Sequence, residues 1–250
     1  MTDPDQRKVD FLIAGVQKAG TSALHSFLKQ NPSLFMPERK ELHFFDTETL
    51  NWNDPDYSHY HQNFEAALPN QKIGEATPIY TFWPDALKRI ATYNKNIKLI
   101  ICLRDPVQRA YSAWSMVTWM QKENMSFSKA IREGRERVHD ELSRRFYTYV
   151  ERGFYAEQIE TALKLFGPEQ LFILWQGQLQ SHHNQSLEKI SHFLGVKHIS
   201  IEPQFIRPIQ PDKKLPPITD QDRDYLHGLY ADDFAKTKKL VEYIDKRRAS

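Results

Sequence analysis

One cysteine, Cys102, occurs in 250 residues, so no disulfide can form within the chain. It sits in the apolar run Leu99-Ile100-Ile101-Cys102-Leu103 and reads there as a small buried hydrophobe rather than a reactive thiol. Long apolar runs are also lacking: none approaches the roughly 18 residues that a membrane-spanning helix needs. The N-terminal stretch, Met1 to Asp10, is polar, carries Asp3 and Asp5, and has none of the apolar core of a secretory signal. Charge of one sign is scarce, since 34 Lys and Arg against 32 Asp and Glu leave only +2. That balance gives no bulk field for nucleic acid or a membrane surface, so any anion site must come from local clustering. The histidine pairs His59/His61 and His182/His183 have no cysteine or carboxylate at metal-ligand spacing, so no metal site is expected. There is no internal repeat and no low-complexity tract. Together these absences lead to the expectation of a reduced, soluble, cytoplasmic protein of one domain spanning residues 1–250.

What is present is β/α rhythm. Val9 to Ala14 is a short apolar run of the kind that forms a strand buried on both faces, and Gly15 ends it. Leu24, Phe27 and Leu28 then recur at helical spacing until Asn31-Pro32 stops the helix. Further strands are expected over 72–76, 97–103 and 171–175. The third strand is followed by Asp105, which can cap a helix, and Pro106, suited to its first position. Helices ending at Gly167-Pro168 and Gly195 flank the last strand. The pattern predicts an α/β fold with a central parallel sheet flanked by helices. Residues 116–152 break the rhythm with mixed-sign charge, which predicts a helical excursion with a solvated face, or a lid. A proline-rich loop over 207–219 precedes a helix expected from Asp220 to Lys246. Trp52, Trp83, Trp114, Trp119 and Trp175 read as core or cleft wall.

Between the first strand and first helix lies Gly15-Val16-Gln17-Lys18-Ala19-Gly20-Thr21-Ser22. Two glycines five positions apart let backbone N–H groups converge, and the helix start adds partial positive charge, which together make an anion site. In the P-loop of nucleotide triphosphatases a lysine follows the second glycine. Here that place is Thr21, and the lysine lies inside the loop as Lys18. Arg104, following the third strand at its C-terminal end, offers a planar fork of donors to a second phosphate, with Ser112 further along the next helix. Glu41 and His43, two apart in a polar stretch, can both face one cleft, and either residue type can act as a general base.

The loop resembles the 5′-phosphosulfate loop of sulfotransferases that use 3′-phosphoadenosine 5′-phosphosulfate (PAPS). The likeness is strongest to the heparan sulfate N- and 3-O-sulfotransferase branch and its bacterial single-domain relatives. Five further segments resemble that branch in the same order: Glu41-Leu42-His43-Phe44-Phe45-Asp46, Gly74 to Tyr80, Leu103 to Ser112, Gly153-Phe154-Tyr155, and the strand-to-helix unit ending Phe193-Leu194-Gly195. The resemblance implies sulfonate transfer from PAPS to a hydroxyl, less readily an amine, of a carbohydrate or small-molecule acceptor, with release of PAP and no metal.

It also implies roles. Lys18, Ala19, Gly20, Thr21 and Ser22 would hold the phosphosulfate; Arg104 and Ser112 the 3′-phosphate; and Lys213 or Lys214 would close over the nucleotide. Glu41 would be the base, with His43 the other candidate, and Lys18 would stabilise the departing phosphate oxygen. His43, Asp46, Thr77 and Tyr80 would line the acceptor site. Three departures stand out: Ala76 replaces a lysine of the 3-O-sulfotransferases, the glycine of their K-G-R loop is missing beside Lys213, and their C-terminal cysteine pair is absent. Two other readings compete: a P-loop kinase of a small alcohol, against which the missing lysine counts, and a nucleotide-binding module without catalysis, against which Glu41 and His43 count.

Overall fold

The structure, a computed structural model, describes residues 7–203 and 215–249. The chain opens with β1 (Phe11–Gly15), α1 (Thr21–Leu28) and a two-residue strand β2 (Leu34–Phe35). It continues with the single turn α2 (Ser58–His61), β3 (Lys72–Ala76), α3 (Ala86–Tyr93) and β4 (Lys98–Leu103). Then follow α4 (Pro106–Trp119), the short α5 (Phe127–Ala130), α6 (Glu141–Tyr147) and α7 (Ala156–Phe166). β5 (Leu171–Trp175), α8 (Gln176–Ser181), α9 (His183–Leu194) and the long α10 (Asp220–Ala249) complete it.

Among the described residues the five strands form one parallel sheet in the order β2-β3-β1-β4-β5. All five residues of β1 are buried, because helices cover both faces and leave no side of the strand to water. This is why its sequence reads as a continuous apolar run rather than an alternation. β2 escapes a sequence reading because two residues carry no periodicity. β1 runs one residue past its expected end, since a register shift between Ile13 and Gly15 lets Gly15 pair with Ile101.

The strand order fixes where a ligand belongs. From β1 the chain leaves towards β2 on one side of the sheet; from β4 it leaves towards β5 on the other. The carboxyl ends of these neighbouring strands therefore open a crevice, the usual ligand position of open α/β sheets. The loop bearing Lys18 leaves β1 here and Arg104 leaves β4.

Residues 116–152 are broken into the end of α4, α5, α6 and single 3-10 turns rather than one helix. Phe127, Ile131, Tyr149 and Val150 from this stretch pack with Trp114 of α4 and with Leu226 and Tyr230 of α10 in a second apolar cluster. The stretch is thus anchored by its own core. Of the loop expected over 207–219, residues up to Lys214 lie outside the described residues. Beyond them Leu215 and Ile218 join the same cluster, and Tyr111 donates to the Pro216 carbonyl at 2.8 Å. No helix among the described residues is long and apolar enough to cross a membrane.

Candidate active site

The loop after β1 is built by backbone. Val16 N–H continues the sheet by donating to the Cys102 carbonyl at 2.8 Å, and Ala19 N–H turns inward to the Val16 carbonyl at 3.2 Å. Ala19, one of the residues that the resemblance sets against the phosphosulfate, uses its N–H to close the loop. Gly20 takes the left-handed conformation that starts α1 (φ 87°), and a Cβ there would meet Gln176 at 3.3 Å. α1 then presents its first N–H groups, starting at Thr21, with no side chain capping them. Gly15 is needed for a different reason: a Cβ would lie 2.5 Å from the Thr81 hydroxyl.

Around this loop stands a set of cations. Arg104 donates to the Lys18 carbonyl at 3.2 Å, while Asp105, its nearest carboxylate in sequence, instead caps α4 by accepting from Gln108 N–H at 2.8 Å. Among the described residues the Lys18 ammonium donates to the Met116 sulfur, at 3.6 Å, and burial followed by the repulsion of Arg104 lowers its pKa. Arg109 is fully buried; it donates to the Tyr149 carbonyl, yet its Nε and one terminal nitrogen have no hydrogen-bond partner. None of Lys18, Arg104 and Arg109 has a carboxylate at ion-pair distance among the described residues. Ser112 lies half-buried on α4. Lys213 and Lys214 lie outside the described residues.

Facing this set is the segment after β2. Glu41 N–H donates to the Ala76 carbonyl at the end of β3, at 3.0 Å, and Phe44 N–H donates to the Tyr80 hydroxyl at 3.2 Å. Glu41 accepts from Lys40 at 2.6 Å and lies 3.6 Å from His43 Nε2, while His43 Nδ1 lies 2.8 Å from Asp46. Burial favours the neutral acid at Glu41, but the hydrogen bonds of His43 and Lys40 outweigh it and hold the carboxyl at about 2. The hydrogen bonds to Asp46 and Glu41 push His43 up to about 9. At neutral pH the pair is therefore a carboxylate beside an imidazolium.

Backbone strain marks the same residues. Among the described non-glycine residues five have positive φ, and three of them are Lys18 (72°), Glu41 (62°) and His43 (56°). Such conformations cost about 1–3 kcal/mol each and persist where surrounding contacts over-determine them.

Three expectations for the acceptor side are corrected. Asp46, Thr77 and Tyr80 are fully buried and do not line the cleft. Asp46 sits behind His43 and accepts from Arg145 of α6, whose other nitrogen donates to the Asp46 carbonyl at 2.7 Å. Thr77 donates to the buried Glu75 at 3.0 Å. Among the described residues no cation pairs with Glu75, and burial pushes it up to about 7 against the hydrogen bonds of Tyr80 and Thr77. The sequence reading missed Glu75, Arg109, Arg145 and Arg152. Arg145 was hidden in a mixed-charge stretch that reads as solvated surface. Arg152 could have been found by its adjacency to Gly153-Phe154-Tyr155.

A crevice at the meeting of β1 and β4, ringed by uncompensated cations and faced by an ionised Glu–His pair, suits transfer of an anionic group. The sulfotransferase domain family matches residues 8–207. The chain belongs to this family. Heparan sulfate glucosamine 3-O-sulfotransferase 3B1 of Mus musculus is 30% identical over 78% of this chain and 48% of its own length. The membrane-associated sulfotransferase kil1 of Dictyostelium discoideum is 36% identical over 45% of this chain and 24% of its own. The chain thus spans less than half the length of these two curated relatives. The crystal structure of a sulfotransferase from Alicyclobacillus acidocaldarius matches with a TM-score of 0.78 at 27% identity, covering 94% of this chain and 96% of that one. The sulfotransferase domain of the curacin biosynthetic pathway shares the fold, with a TM-score of 0.54 at 18% identity over 83% of this chain and 80% of that domain. This sulfotransferase-family chain is an enzyme of the sulfonate-transferring class.

Proposed function

We propose that this enzyme moves a sulfonate group from PAPS to a hydroxyl of a sugar or another small hydroxylated acceptor and releases PAP. The observation that carries the reading is the pair Lys18 and Arg104, half-buried at the sheet's carboxyl edge with no carboxylate at ion-pair distance among the described residues. Uncompensated charge in a low-dielectric crevice is costly unless an anion arrives, and a nucleotide carrying anionic groups at both ends fits it. The open start of α1 fits the same ligand.

The loop around Lys18 and the start of α1 bind the phosphosulfate end; Arg104 and Ser112 bind the 3′-phosphate. Glu41 is the general base, because His43, held protonated, has no lone pair free for a proton. Glu41 takes the acceptor proton as the acceptor oxygen bonds to sulfur. Lys18 stabilises charge on the phosphate oxygen left when its bond to sulfur breaks. A carboxylate held at about 2 is a weak base; an acceptor that displaces Lys40 or loosens His43 lifts it towards the ordinary range. Ala76 in place of a lysine argues against a polyanionic acceptor.

The test is incubation of the purified protein with labelled PAPS and a panel of acceptors: neutral sugars, alkyl alcohols and a heparan sulfate oligosaccharide. Label is expected on a neutral acceptor, with no transfer from labelled ATP and magnesium. Absence of transfer, together with no rise in melting temperature on adding PAP, overturns the reading.

A further inference from the structure

Arg152 is wholly buried, yet no carboxylate is paired with it among the described residues. Its guanidinium is satisfied by neutral groups from three places. Nε donates to the Thr148 hydroxyl at 2.8 Å, and one terminal nitrogen donates to the carbonyls of Arg144 and Arg145 at 2.9 and 2.7 Å. The other terminal nitrogen donates to the side-chain oxygen of Gln17, the residue before Lys18 in the loop. Burial, followed by the charges of Arg109 and Arg145, works against its protonation, but a guanidinium stays charged in a protein.

Each neighbour leads onward. Arg145, whose carbonyl Arg152 holds, grips Asp46 through both its carboxylate and its carbonyl. Asp46 holds His43 Nδ1, and His43 Nε2 faces Glu41. A continuous series of polar contacts therefore runs Gln17–Arg152–Arg145–Asp46–His43–Glu41, from the anion loop to the base.

We propose that Arg152 is a positioning residue that couples occupancy of the donor loop to the setting of the Glu41–His43 pair. The inference rests on the donor reading above. Its physical basis is the shape of the group: a planar fork can bond a side chain of the loop on one nitrogen and the α6 backbone on the other, held in one plane. A lysine ammonium presents its donors from one point and cannot span both. When an anion draws the loop inward, Gln17 moves with it, and the fork passes that displacement to the carbonyl of Arg145. The charge also matters, since Glu41 and Asp46 both lie within its electrostatic reach.

The experiment uses the whole chain with PAP as probe and reads two quantities: PAP affinity by calorimetry, and the titration of the His43 ring by NMR of histidine-labelled protein. The ring signal is assigned by its disappearance in His43→Gln. In the wild type, PAP should move the His43 pKa by at least about 0.5 unit. Arg152→Lys keeps the charge but removes the fork; it should bind PAP within about fivefold of wild type while the His43 response is lost. Gln17→Ala cuts the same contact from the loop side and should do the same, and it serves alone if Arg152→Lys fails to fold.

A purely structural brace would lower stability in these variants and leave the His43 response intact. That result, or a wild-type His43 that ignores PAP, overturns the coupling. A wild type that does not bind PAP at all brings down the donor reading, and the coupling with it. PAP binding without the predicted response brings down the coupling alone.

Discussion

On one side of the crevice Lys18, Arg104 and Arg109 have no carboxylate at ion-pair distance among the described residues and are held by backbone carbonyls and a methionine sulfur. On the other side Lys40, Glu41, His43, Asp46 and Arg145 are joined in alternating sign. One side waits for a ligand's charge; the other has balanced its own. The difference separates binding from chemistry. A site that must capture an anion does so by leaving cations uncompensated, whereas a site that must move a proton fixes the protonation state of its members through their partners.

The comparison is broken most directly by exchanging losses. Glu41→Gln should lower sulfonate transfer from PAPS by about 10²–10⁴-fold while PAP affinity stays within about threefold, because a base acts on the acceptor proton and not on the nucleotide. Lys18→Ala or Arg104→Ala should instead weaken PAP binding, by about 10–100-fold, the worth of a hydrogen bond to a charged group. Calorimetry with PAP and product counting with labelled PAPS read the two losses separately. Should Glu41→Gln weaken PAP binding as strongly as Lys18→Ala, the division between the sides is false.

A smaller effect probes the donor loop's backbone. In Gly15→Ala the new Cβ meets Thr81 side-chain atoms at 2.5 and 2.7 Å. The crowding should cost about 1–3 kcal/mol of stability, read as a lower denaturation midpoint. Adding Thr81→Ala removes those two atoms and should restore part of the loss; an unrelieved double variant would place the strain elsewhere.

The smallest effect sharpens the acceptor side. His43 is raised from an ordinary 6.5 to about 9, so its contribution to stability is complete below about 6.5 and is lost as pH rises through 9. Glu41, lowered to about 2, loses its contribution only as pH falls through that value. The melting temperature of wild type minus that of His43→Gln should therefore be flat from about 4.5 to 6.5 and shrink between about 6.5 and 9. A difference that stays constant across that upper window would mean that His43 is not held as imidazolium.

The loop after β1 and the helix start beside Arg104 were largely legible in the chain. Gly15, Lys18 and Gly20 lie within six residues, and the glycines declare a loop whose N–H groups converge; Asp105-Pro106 declares a helix start beside Arg104. On the acceptor side the reading failed wherever burial decided. Asp46, Thr77 and Tyr80 are polar residues near Glu41 and His43, and polarity suggested a cleft. Instead the apolar packing of Phe44, Phe45, Tyr60 and Tyr93 closes over that region and turns them inward. Residues 116–152 misled in the opposite direction. Their mixed charge suggested a solvated face, yet two of those charges, Arg145 and Arg152, are drawn inside by partners elsewhere in the chain.

By itself, the sequence determined the parallel α/β layout and the glycine turn that opens α1, because strand burial, glycine turns and helix caps are decided by residues close along the chain. Only the tertiary structure decided which charges are neutralised and by whom. Arg145 meets Asp46 across 99 positions, and Arg152 meets Gln17 across 135. No local propensity encodes such meetings. They arise when the second apolar cluster pins residues 116–152 against α10 and brings their arginines to the sheet edge, where the low dielectric makes each unpaired or paired charge count.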